Sequence, residues 1–107
     1  MSYNLLLIRT SGEVEKIAVS KEIELELLQS LVGGYIECVP TMFPHIEMLV
    51  NEEGKLDGMK YNKVATDISR VSEYDMIVGD AVLCKVCGDH LVGLSKTEAE
   101  EIIRRLE

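Results

Sequence analysis

Twice along this chain a pair of apolar runs folds back at a turn and leads directly into an amphipathic stretch opened by Ser-Lys, at Val19-Ser20-Lys21 and at Leu94-Ser95-Lys96. A short turn between two strands forces them antiparallel, because a parallel pair needs a long crossover. The repeated order of hairpin and then helix therefore predicts an antiparallel sheet with helices laid on it. The echo suits an ancient duplication, although a hairpin followed by a capped helix is also common local grammar.

The first unit starts at Tyr3 to Arg9. Its unbroken Leu5-Leu6-Leu7-Ile8 run reads as a strand buried on both faces or nearly so. Ser11-Gly12-Glu13 closes a hairpin to Val14–Val19. Ser20 is placed to cap a helix over Lys21–Val32, with Ile23, Leu27, Leu28 and Leu31 on one face. Gly33 falls just past its end, where a left-handed backbone is needed. Tyr35 to Val39 and Ile46 to Val50 read as strands parted by Pro40-Thr41-Met42-Phe43-Pro44. Asn51-Glu52-Glu53-Gly54 is a turn in which Gly54 is free to take positive φ. Residues 55–74 are irregular, with a short helix near Asn62 to Ser69.

Met76 to Val86 is the longest strand signal, and Gly79 within it marks a bulge or a close backbone approach. Cys87-Gly88-Asp89-His90 turns the chain into a short strand, Leu91 to Leu94. Ser95-Lys96-Thr97-Glu98 is a capping box, and Ala99, Ile102, Ile103 and Leu106 share a face of the helix behind it. The expected fold is α+β, a single domain over residues 1–107. It has a largely antiparallel sheet of about five to six strands, with two main helices, after strand 2 and at the C-terminus, packed on one face of it.

A length of 107 residues suits one domain, and 47% apolar residues set the chain apart from disordered acidic tails. Four Tyr, one Phe and no Trp leave the core to aliphatic side chains. The formal charge of −8 disfavours general nucleic-acid binding, which needs a basic face against phosphate. The surplus instead offers an acidic surface to a basic partner. The N-terminus shows no charged leader or small-residue cleavage site, and its apolar run is far shorter than the roughly 20 residues of a membrane span. Three cysteines in no disulfide pattern complete the expectation of a cytoplasmic protein, in a bacterium or a host cell, that does not engage membranes.

Cys84 and Cys87 have the spacing of a metal knuckle, with His90 as a third ligand and Cys38 or His45 as a fourth. Only half of a paired motif is present, and on a strand Cys84 would share a face with Val82 and Val86 as a small hydrophobe. A catalytic thiol would need His90 or His45 positioned as a base and an oxyanion donor, and the sequence displays neither. Gly33-Gly34 lacks the strand-glycines-helix order of a phosphate loop. The stronger candidates lie in loops. Asn51 and Asn62 carry amides that donate and accept together, and Asn51 also suits an Asx-turn. Lys55, Lys60, Lys63 and Arg70 form the one locally basic stretch, interleaved with Tyr61 and followed by Tyr74. Such a stretch would hold a small phosphorylated ligand by charge and stacking, or serve only as a solvated loop.

Three segments then occur in a fixed order: Leu31-Val32-Gly33-Gly34-Tyr35-Ile36-Glu37, then Asn51-Glu52-Glu53-Gly54-Lys55-Leu56 with Asn62 downstream, then Ile77-Val78-Gly79-Asp80. In these the chain resembles a domain-of-unknown-function family of short bacterial, phage and mobile-element proteins. The resemblance carries no activity over to this chain, no cofactor is expected, and Cys84, Cys87 and His90 stand outside its pattern. It implies only an association with phage or mobile-element genomes, and by analogy with small acidic phage accessory proteins the expected role is one that counters host defence. The expected function is non-enzymatic capture of a small nucleotide-like ligand by Tyr35, Asn51, Lys55, Lys60 and Asn62, with a homo-oligomer to enclose it. One alternative is a protein-interaction module that inhibits a host protein through an acidic surface. The other is a small metal-binding protein using Cys84 and Cys87.

Overall fold

In a computed structural model, which describes residues 2–70 and 76–106, two hairpin-and-helix units share one sheet. Tyr74 lies outside the described residues. The first unit is Tyr3–Ile8 (β1), Val14–Val19 (β2) and Leu25–Val32 (α1). Ile36–Pro40 (β3), Ile46–Asn51 (β4) and the short helix Lys63–Ile68 (α2) follow. The last unit is Ala81–Cys87 (β5), His90–Val92 (β6), Leu94–Ser95 (β7) and Lys96–Leu106 (α3). The strands run in the order β2-β1-β5-β4-β3, and every pairing is antiparallel. The α+β class and the largely antiparallel sheet are as expected.

Strand β1 forks. Leu6 to Ile8 pair with Leu83 to Ala81 of β5, whereas Tyr3 and Asn4 leave β5 and pair with Ser95 and Leu94 of β7. The opposite end of β5 pairs with β6. The segment expected as one strand from Leu91 to Leu94 is thus divided at Gly93, because its two halves bond to different neighbours.

The helices lie on opposite faces, which corrects the one-face arrangement. Alternate residues of the central strands supply two cores, since successive side chains point to opposite sides. Leu6, Ile8, Met48, Val50 and Leu83 pack with Ala65 and Ile68 of α2 and with Ala99 and Ile102 of α3. Leu5, Leu7, Leu49, Val82 and Cys84 pack with Leu28 and Val32 of α1. The unbroken apolar run of β1 is the sequence signature of such two-sided burial.

Helix α1 begins at Leu25, four residues later than Lys21, and its N-cap Glu24 makes no side-chain capping bond. The expected cap at Ser20 fails because the chain beyond it stays extended. Glu22 bridges to Val92, and Gly93 N–H donates to Lys21 C=O at 2.8 Å. The other end is as expected: Gly33 is left-handed at φ 84°, and its N–H donates to Gln29 C=O. Met76 to Asp80 also departs from its reading as strand, since β5 begins only at Ala81. Ile77 is drawn out of the ladder, its N–H donating to the Thr66 hydroxyl and its C=O accepting from Asn62 N–H.

The C-terminal capping box forms in full. Ser95 N–H donates to Glu98 Oε1 at 2.8 Å, and Glu98 N–H donates to Ser95 Oγ at 3.1 Å. Ser95→Ala should lower stability by about 1 kcal/mol. Glu98 also meets Lys85 Nζ at 2.7 Å. Burial pushes its carboxyl up, but hydrogen bonds from Lys85 and Ser95 outweigh that and hold it below the usual range. A lowered native pKa stabilises the fold fully above the unfolded-state value of about 4.3, and the gain is lost as pH falls through the native value. Urea midpoints should therefore show the wild type's advantage over Glu98→Gln shrinking below about pH 4.3. A difference constant with pH would mean the carboxylate's charge adds nothing.

Candidate functional site

The three motif segments meet at one junction. Asn51 ends β4 and is 7% exposed. Its Oδ1 accepts from Glu53 N–H at 2.7 Å, forming the Asx-turn, and its Nδ2 donates to Val32 C=O at 3.2 Å. The latter bond satisfies one of the carbonyls a helix end leaves open. A Cβ on Gly34 would lie 3.0 Å from that Nδ2, so the residue after the helix stop must be small for the asparagine to reach. On the other side of the turn a Cβ on Gly54 would come within 3.0 Å of Val78 Cγ2, and one on Gly79 within 2.7 Å of Met59 Sδ. Gly79 thus makes the expected close approach. Gly54 serves contact rather than positive φ, which falls to Gly58 instead.

Beneath this junction Asn62 caps α2. Its Oδ1 accepts from Ala65 N–H at 3.1 Å, and its Nδ2 donates to Ile8 C=O and Gly79 C=O, both at 2.9 Å. The residue is 0% exposed. Both amide protons are committed, and the side chain reaches no solvent. The ligand-contacting role expected of Asn62 gives way to a structural one, tying α2 to β1 and to the approach to β5.

Beside the junction opens a cleft of about 320 Å³. Its lining comes from β3 (Glu37, Cys38, Val39 and Pro40), the end of β4 and the following turn (Val50, Asn51, Glu52, Lys55 and Leu56), and Met76, Ile77 and Val78. Val39, Val50 and Ile77 are buried, which makes that part of the lining apolar. Leu56 and Met76 stand out at 86% and 53% exposure. Glu37 and Glu52 bring two carboxylates, and neither pairs with a cation among the described residues. Among the described residues of the lining Lys55 is the one cation, and it is itself engaged.

Of the five residues expected to hold a ligand, only Asn51 and Lys55 reach this cleft. Tyr35 is 70% exposed, and neither it nor Lys60 lines the cleft. Glu37, Leu56, Met76 and Ile77 were not expected to hold a ligand, although Glu37, Leu56 and Ile77 stand in the three motif segments. The available signal was a large apolar residue, Leu56, set among charged neighbours in a turn.

Cys84 and Cys87 lie on one strand three residues apart, so their side chains take opposite faces. Cys84 is buried against α1, while Cys87 shares the face of Lys85, whose ammonium reaches Glu98 of α3. A knuckle that closes both thiolates on one ion is incompatible with this continuous strand. Burial, with smaller effects from Cys38 and Glu47, pushes the Cys84 thiol up to about 12, which keeps it protonated and unreactive. His45 sits in the Phe43–Ile46 turn at φ 65°, and His90 is 72% exposed beside Asp89. Among the described residues no group of three or more His, Cys, Asp or Glu is arranged to hold a metal ion. No helix among them is long and apolar enough to cross a membrane.

A family model for a domain of unknown function, DUF3846, matches residues 3–107, beyond the span of the three motifs. No curated protein and no solved structure matches the chain.

Proposed function

Because the chain belongs to the DUF3846 family, which brings no activity with it, we propose from its own surface that it is a non-enzymatic protein-interaction module whose cleft beside β3 receives a segment of a partner protein. The observation that carries this reading is the composition of the cleft. The buried apolar patch of Val39, Val50 and Ile77 within an otherwise mainly polar lining, two exposed apolar side chains at Leu56 and Met76, and the carboxylates of Glu37 and Glu52 suit a segment with a basic and an aliphatic side chain. A nucleotide-like anion fits less well, because its phosphates would face Glu37 and Glu52 while Tyr35 and Lys60 lie elsewhere. The net charge of −8 favours the same class of partner. In the phage or mobile-element setting implied by the resemblance, that partner would be a host protein.

A random-peptide library panned on the immobilised protein tests this directly. Enriched peptides should carry Lys or Arg beside an aliphatic residue and should bind less tightly as salt rises. Affinity for the Glu37→Lys/Glu52→Lys double variant should fall roughly ten-fold, as expected for losing two rim charge pairs. If no peptide is enriched and a nucleotide panel instead raises the melting temperature, the protein captures small molecules and the interaction reading is wrong.

A further inference from the structure

We infer that the partner segment binds by adding as a β-strand to the outer edge of β3 at Ile36 and Cys38, an inference that rests on the interaction role proposed above. β3 is an outer strand of the sheet, and among the described residues its stretch Ile36–Val39 is bonded on one side only, to β4. The phase of its ladder follows from two bonds. Glu52 N–H donates to Tyr35 C=O, so the odd-numbered residues of β3 turn their backbone groups toward β4. Arg70 N–H donates to Pro40 C=O from the other side, so the even-numbered residues turn outward. Ile36 and Cys38 therefore present an N–H and a C=O each to the outer edge, and none of these has a bond partner among the described residues.

Pro40 ends the open stretch. It has no N–H to offer, and its carbonyl is already taken. The docked length is thus short, roughly three to four residues. The other outer strand, β2, is a poorer site. There the outward-turned residues are Val14, Lys16 and Ala18, and an exposed lysine at the centre of an edge is the usual guard against strand addition. The outward-turned residues of β3 include no charged side chain, and its one guard among them, Pro40, stands at the end of the strand. It also borders the cleft, which gives an added strand somewhere to place its side chains.

The ladder sets a spacing rule. Glu37 and Val39 project to the cleft face, because Val39 and Val50, the cross-strand partner of Glu37, belong to the core on that side. Peptide residues opposite them would project to the same face and be two apart in sequence. The recognised element is therefore a Lys or Arg and an aliphatic residue separated by one position. The intervening residue turns to the α1 side and is free to vary.

The experiment uses the full-length protein and synthetic copies of a library-enriched peptide, each with one backbone nitrogen N-methylated in turn. On binding the unmodified peptide, the amides of Ile36 and Cys38 should exchange at least about ten-fold more slowly, while Glu37 and Val39, already bonded to β4, change little. Methylation at alternate peptide positions should abolish binding, and at the positions between should leave it within about two-fold, the period of a ladder. Tight binding with no protection at Ile36 and Cys38, or with no alternation in the methyl scan, overturns strand addition and leaves the interaction role standing. Failure of the library to yield any binding peptide overturns both.

Discussion

Replacing Asn62 by alanine is expected to cost about 3–5 kcal/mol, a large share of the roughly 5–15 kcal/mol that holds a domain of this size together. The residue is fully buried and serves three backbone groups from three parts of the chain: Ala65 N–H, Ile8 C=O and Gly79 C=O. Loss of the helix cap alone costs about 1 kcal/mol. Gly79 C=O, left without this donor, adds about 1–3 kcal/mol because it gave up water on folding, and the bond lost at Ile8 C=O, which keeps its ladder partner Ala81, adds about 0.5–1.5 kcal/mol. Urea unfolding monitored by circular dichroism would read the loss as a lower midpoint. Asn62→Asp separates the contributions. It keeps the capping oxygen but sets a carboxylate against two carbonyl oxygens, so it should be as damaging as alanine at neutral pH. Its deficit should shrink in acid, where the protonated acid regains one donor. A loss under about 1 kcal/mol for alanine would mean that the two carbonyls find other partners.

Gly93→Ala is expected to cost at least about 2–3 kcal/mol, the usual range for forcing atoms into a filled site. An added Cβ would lie 2.8 Å from Tyr3 Cβ and 3.0 Å from Val19 Cγ2. Neither neighbour can swing aside cheaply. Tyr3 Cβ is attached directly to a strand paired with β2 on one side and with β7 on the other. Relief would have to come from separating β7 from β1. The N-cap of α3 is Ser95, at the end of β7, so the damage should spread to that helix. Amide exchange at Ser95 and Glu98 would therefore quicken along with the loss of global stability. Gly88→Ala is the control. That glycine has φ 65° but nothing within 4 Å of an added Cβ, so only a backbone cost of about 1 kcal/mol is expected. Equal losses at Gly93 and Gly88, with unchanged exchange at Ser95, would show that the crossing over Tyr3 is not tightly packed.

Both positions mark where reading the chain as a string reaches its limit. Asn62 stood out as an amide in a polar loop, and its place at the start of a short helix was legible. Its burial was not, because the bond that buries it reaches Ile8, 54 residues away. Gly93 drew no notice, since the reason for it lies in Tyr3 and Val19 at the other end of the chain. The cleft was half visible. Its motif segments were recognised, and Asn51 and Lys55 do reach it, yet Glu37, Leu56 and Met76 come together only when β3, the turn after β4 and the approach to β5 are folded onto one another.

The local elements could be read from residue order alone: the capping box at Ser95 and Glu98, the left-handed stop at Gly33, the Asx-turn at Asn51 and the helix begun by Asn62. Each rests on hydrogen bonds that close within about four residues, so neighbouring side chains suffice to specify it. The sides of the sheet taken by α1 and α3, the late start of α1, the division of the last strand at Gly93 and the outward phase of β3 were settled by folding. Each depends on contacts between distant segments, Glu22 with Val92 or Arg70 with Pro40, whose free energy exists only once the sheet has brought both partners to the same place.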